Sequence, residues 1–126
     1  MTAPAVTTYG NYIGGEWRPA KSGRTFENRN PANTDDLVGY FAASSKEDVD
    51  DAIAAAAAAA ESWRNTSAIQ RANILYKASE ILAARANEIG RELTREEGKT
   101  LKEGIGETHR AVQILRYFAG EAQQPS

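Results

Sequence analysis

Seven consecutive alanines, Ala54 to Ala60, constrain this chain more than any other feature. Alanine has the highest intrinsic helix propensity, so the run reads as helix, and its methyl groups let a neighbouring backbone approach closely. The run also fills apolar positions with the smallest apolar side chain. Of the 126 residues 23 are alanine, and only 29 are larger apolar or aromatic residues. Leu, Ile, Val and Phe number 21, about 17% of the chain and under the ~20% level at which disorder competes with folding. Disorder also needs unbalanced charge, and here 15 basic residues face 17 acidic ones for a net charge of −2. The reading is a folded segment with a thin core, better buried against further protein than standing alone.

Hydrophobic periodicity divides the chain. Residues 1–10 are small and polar and read as a flexible tail. Residues 11–44 read as β structure. Asn11-Tyr12-Ile13 and Glu16-Trp17 flank Gly14-Gly15, a two-residue hairpin signal. Thr25–Asn30 and Leu37–Ala42 are β-prone runs separated by turn formers from Pro31 to Asp36, and they should pair antiparallel. Residues 45–126 read as a three-helix segment. Ser44 or Ser45 can cap the first helix, with Glu47 and Asp48 at its positive end and Val49, Ala52, Ile53, Ala56, Ala60 and Trp63 on one face. A capping box at Ser67–Gln70 opens a second helix, with Leu75, Ala78, Leu82, Ala86, Ile89 and Leu93 on one stripe and a stop near Gly98. Another box at Thr100–Glu103 opens a third, with Ile105, Thr108, Val112, Leu115, Ala119 and Ala122 on one side. The fold class is α+β: a hairpin and short antiparallel strands, then three helices.

Composition excludes several functions. A pI near 5.5 with mixed charge gives no basic stripe for nucleic acid, and no apolar run approaches a membrane span. Met1 to Thr8 show no secretory signal, so a cytoplasmic setting is expected. There is no cysteine, and the single His109 cannot build a multi-histidine site, so no metal site is read. Two phosphate-binding patterns also fail. Gly98-Lys99-Thr100 lacks the glycine a P-loop needs at position 93, where Leu93 sits within a helix. Gly104-Ile105-Gly106 follows a helix cap rather than a strand and meets His109 where a glycine or alanine is needed, so its glycines are better explained by close packing. No catalytic residue and no cofactor-binding residue is read in the chain. One face remains. Gly106, Arg110, Gln113 and Tyr117 are spaced by 4, 3 and 4, a polar and aromatic face on which Arg110 can form a bidentate pair with a carboxylate.

The ordered set Asn11-Tyr12-Ile13-Gly14-Gly15-Glu16-Trp17, Asn30-Pro31-Ala32, the alanine-rich helix ending in Trp63-Arg64, Arg71, Glu96-Glu97-Gly98-Lys99-Thr100 and Leu115–Ala122 resembles the aldehyde dehydrogenase superfamily. The likeness runs from about Asn11 to the end, yet over only the N-terminal quarter of such enzymes. It implies a segment of a larger α/β, Rossmann-like fold. It implies NAD(P)-dependent oxidation of an aldehyde to an acid, with a cysteine nucleophile and a glutamate-activated water. This chain lacks that cysteine and any nucleotide-binding βαβ unit, so it resembles an N-terminal fragment expected to be inactive alone. Its partners would then be the remainder of its own subunit and a small-molecule aldehyde, with NAD or NADP bound elsewhere in a homo-oligomeric enzyme. Gly104–Ala111 resembles members acting on carboxylate-bearing aldehydes, notably 2-oxoglutarate semialdehyde, with Arg110 as the matching substrate-binding position; Gly106, beside it on the same helical face, is read as substrate-binding with it. The competing expectation is an autonomous helical interaction module without catalysis.

Overall fold

A computed structural model describes residues 6–124. Five strands precede four helices: β1 (Thr8–Tyr9), β2 (Asn11–Ile13), β3 (Glu16–Arg18), β4 (Thr25–Arg29), β5 (Leu37–Ala42), α1 (Lys46–Asn65), α2 (Ala68–Ala84), α3 (Ala86–Glu97) and α4 (Leu101–Glu121). The chain divides into two compact units, with the boundary between Trp63 and Arg64.

In the first unit, β2 and β3 form the expected hairpin. Gly14 and Gly15 both adopt positive φ, 63° and 87°, the backbone that a two-residue turn between right-twisted strands requires. The turn sets the register Tyr12↔Trp17, and those rings meet at 5.1 Å. β4 and β5 pair antiparallel as expected, with a register shift between Asn28 and Arg29. The tail read over residues 1–10 needs correction. Residues 1–5 lie outside the described residues, but Thr8 and Tyr9 form β1, which pairs parallel with β5 and stacks Tyr9 on Phe41 at 4.8 Å. The sheet order is therefore β1-β5-β4.

Helix α1 also belongs to this unit rather than with the later helices. Its link to the strands is polar. Asp48, 5% exposed, accepts the Ser45 N–H at 2.8 Å, the Ser45 hydroxyl at 3.2 Å and the Lys21 N–H at 2.8 Å. Ser45 is thus the residue that starts α1, while the Ser44 hydroxyl pairs with the Asn11 amide. Beyond Asp48 no α1 residue is buried, and its apolar stripe is open: Ile53 is 62% and Trp63 50% exposed.

The second unit packs α2 and α3 on α4. Both capping boxes form: Ser67 Oγ accepts the Gln70 N–H at 3.2 Å, and Thr100 Oγ1 accepts the Glu103 N–H at 3.4 Å. The stripe expected on α4 faces inward, with Thr108, Val112 and Ala119 buried. The second helix of the sequence reading is two helices. The chain breaks at Arg85, whose φ of −104° and ψ of 13° leave the helical basin, and whose guanidinium forks onto Glu88 at 2.7 and 2.9 Å. Of the stripe expected through the break, Ala86 is buried on α3, while Gly90, outside that stripe, is the other buried residue where α3 packs on α4. At that crossing a side chain on Gly90 would sit 2.6 Å from Ile105 Cγ1, and one on Gly104 would meet the Gly90 carbonyl and lie 2.6 Å from Thr94 Oγ1. Glycine at both positions is what lets the two helices touch.

Candidate functional site

Helix α4 has two faces. One carries the buried Gly104, Thr108, Val112 and Ala119 against α2 and α3. The other is open. Arg110, Gln113 and Tyr117 lie along it as their spacing predicts, and together with Ile114 and Phe118 they line a groove of about 460 Å³. Arg110 Nη1 donates to Gln113 Oε1 at 3.3 Å, across one turn of helix. The Tyr117 and Phe118 rings meet edge to face at 5.3 Å and 85°, forming an aromatic wall at the far end. Ile114 and Phe118 were not singled out in the sequence, although their positions four and eight residues after Arg110 carry the same helical signal.

Gly106, the other expected substrate-binding residue, is one turn before Arg110 on this face. It does not line the groove, and a side chain placed on it would meet nothing within 4 Å. It contributes open space rather than contact. His109 is exposed on α4.

The segment joining α3 to α4 fixes the charges near the groove. Gly98 ends α3 with a φ of 73° and donates its N–H to Thr94 O at 2.9 Å, and Thr100 caps α4. Lys99, between these two caps, has a side chain only 17% exposed. Its ammonium contacts Glu107 Oε1 at 2.6 Å and also pairs with Glu97. The hydrogen bond to Glu107, then the one to Glu97, raises the Lys99 pKa above its ordinary 10.5.

Residues 17–126 match the aldehyde dehydrogenase family. The chain belongs to that family. It is 45% identical over 117 residues to the alpha-ketoglutaric semialdehyde dehydrogenase of Bacillus subtilis, covering 93% of this chain and 24% of that protein. It is 42% identical to the alpha-ketoglutarate semialdehyde dehydrogenase of Haloferax volcanii, covering 97% of this chain and 24% of the relative. Among solved structures it is similar to betaine aldehyde dehydrogenase from Staphylococcus aureus in complex with NAD+, with a TM-score of 0.89, 28% identity, and coverage of 93% of this chain and 24% of that one. The chain therefore spans about a quarter of the length of these aldehyde dehydrogenases and matches them as an N-terminal segment.

Aldehyde dehydrogenases imply a dinucleotide cofactor, whose phosphates need a glycine-rich turn between a strand and a helix N-terminus. The glycines here do not fit. Gly104 and Gly106 lie within α4, and the space beside Gly104 is filled by Gly90 and Thr94. No hydride-transfer step is assigned to this chain. Among the described residues no helix is long and apolar enough to cross a membrane.

Proposed function

We propose that the chain is the N-terminal part of an NAD(P)-dependent aldehyde dehydrogenase subunit that oxidises an aldehyde bearing a distal carboxylate, such as 2-oxoglutarate semialdehyde, and that Arg110 holds that carboxylate. The observation that carries this reading is the placement of Arg110. Its guanidinium stands at the head of an aromatic-walled groove with a neutral amide as its hydrogen-bond partner, so its charge is not cancelled there. A guanidinium offers five N–H donors in a fixed fork, which suits a planar carboxylate. The names of the Bacillus and Haloferax relatives support the same substrate class.

Here Arg110 fixes one end of the substrate, the walls of Ile114, Tyr117 and Phe118 exclude water from its middle, and the open space at Gly106, one turn before Arg110, leaves room at the carboxylate end. The reacting groups come from elsewhere in the subunit, since this chain contains no cysteine. The remainder of the subunit also covers the apolar stripe of α1, whose exposure in Val49, Ile53 and Trp63 supports that partner. A cytoplasmic homo-oligomer is the setting this reading assigns to the complete enzyme.

A charge-assisted hydrogen bond to a carboxylate is worth roughly 1.5–3 kcal/mol, about tenfold to a hundredfold in specificity. Arg110→Ala in the complete enzyme is expected to lower kcat/KM for 2-oxoglutarate semialdehyde by that factor and to spare pentanal. Steady-state kinetics on a variant with unchanged melting provide the check. An equal loss on both aldehydes removes Arg110 from the substrate site.

A further inference from the structure

Arg110 has a potential competitor for its pairing among side chains that do not line the groove. On an α-helix the side chains that can reach residue 110 are those three and four positions away: Gly106, Glu107, Gln113 and Ile114. Only Glu107 among them is charged. A carboxylate one turn from an arginine pairs with it readily, and a paired Arg110 would meet the substrate already neutralised. In the structure Glu107 is turned to another cation. Lys99 Nζ lies 2.6 Å from Glu107 Oε1, and Arg110 donates instead to the neutral Gln113 amide.

The placement of Lys99 suits this task. The left-handed turn at Gly98 and the cap at Thr100 fix its backbone on both sides, and its stem is largely covered, at 17% exposure. Little side-chain freedom is left to lose when its ammonium engages Glu107, so the pair is held more firmly than two free surface side chains would be. A second carboxylate, Glu97, contacts the same ammonium and helps to keep it charged and in place.

We propose that Lys99 is a positioning residue for substrate selection: by holding Glu107 it keeps that carboxylate off Arg110, which stays available to the distal carboxylate of the substrate. This rests on the reading of Arg110 given above. The test uses the complete enzyme with 2-oxoglutarate semialdehyde and pentanal as the two probes. Lys99→Gln releases Glu107, and KM for the semialdehyde is expected to rise about twofold, the worth of an ion pair one turn apart on a helix. Its kcat, and both constants for pentanal, are expected to stay level. The double variant Lys99→Gln/Glu107→Gln is expected to return KM to the parent value, a rescue that a purely structural role for Lys99 does not produce. Gln113→Glu places a carboxylate one turn after Arg110 without altering the Lys99 turn. It is expected to raise KM for the semialdehyde, and so tests the premise even where Lys99→Gln fails to fold. An Arg110→Ala enzyme weakened equally on both aldehydes overturns the reading of the groove and this proposal with it. A selective Arg110→Ala enzyme in which Lys99→Gln leaves KM unchanged, or raises it beyond rescue by Glu107→Gln, overturns the role of Lys99 alone. An unchanged KM in Gln113→Glu overturns the competition on which that role depends.

Discussion

Three glycines within or against α4 occupy different physical situations, and a single methyl group separates them. At Gly104 an added Cβ meets the Gly90 carbonyl and Thr94 Oγ1, and at Gly90 it meets Ile105. Overpacking of this kind costs about 1–3 kcal/mol, more than the ~1 kcal/mol that alanine gains over glycine in helix propensity. Gly104→Ala is therefore expected to destabilise, whereas Gly106→Ala, with open space around it, is expected to stabilise by up to about 1 kcal/mol. Urea unfolding of the two variants checks the opposite signs. The sequence pointed to packing for the Gly-Ile-Gly stretch, but it could not say which glycine packs, because that depends on where α3 crosses. Asp48 gives a pH-dependent counterpart. The N–H of Ser45 first, and then that of Lys21, hold its carboxyl below the ordinary 3.8. The folded state favours the charged form, so its contribution is complete above pH 3.8 and is lost as pH falls through the lowered value. Asp48→Asn is expected to lower the melting temperature at neutral pH and to flatten its fall on acidification, measured by melting across a pH series.

At the scale of elements, what is local in sequence was legible and what is distant was not. The capping boxes at Ser67 and Thr100 are four-residue signals, and both form as written. Ser67→Ala is expected to destabilise the protein by about 1 kcal/mol through loss of the α2 cap, visible as a lower urea midpoint with an unchanged slope. The Gly14-Gly15 turn is equally local and fixes its own hairpin. β1 is not local. Thr8 and Tyr9 become a strand only because Tyr40 and Phe41, over thirty residues later, offer a parallel edge. The break at Arg85 has no glycine, proline or cap to announce it. The apolar stripe runs through it in phase, so a single helix was the natural reading. For the groove, the helical spacing of Arg110, Gln113 and Tyr117 was sufficient to place them together. The Lys99–Glu107 pair was not visible, because it depends on the turn between two helices.

For the whole molecule the governing fact is uncovered apolar surface. The shortage of large apolar side chains predicts a thin core, and the structure shows it: among the described residues the buried apolar side chains are Ala20, Ala72, Ala86, Val112 and Ala119. Ile53, Trp63, Ile69, Tyr117 and Phe118 are at least half exposed. In a chain that spans about a quarter of its relatives' length, such surface is what the rest of a subunit would cover. The isolated chain is accordingly expected to be helical and to self-associate. Sedimentation showing a monomer that melts sharply at high temperature contradicts that expectation. On the function proposed above, this segment serves substrate selection within a larger aldehyde dehydrogenase and performs no oxidation itself. Purified residues 1–126 and the complete enzyme are to be compared by following reduction of NAD or NADP with 2-oxoglutarate semialdehyde as substrate. Turnover is expected from the complete enzyme and none from residues 1–126 at any concentration. Cofactor-dependent oxidation by residues 1–126 that persists after removal of contaminating enzyme contradicts it.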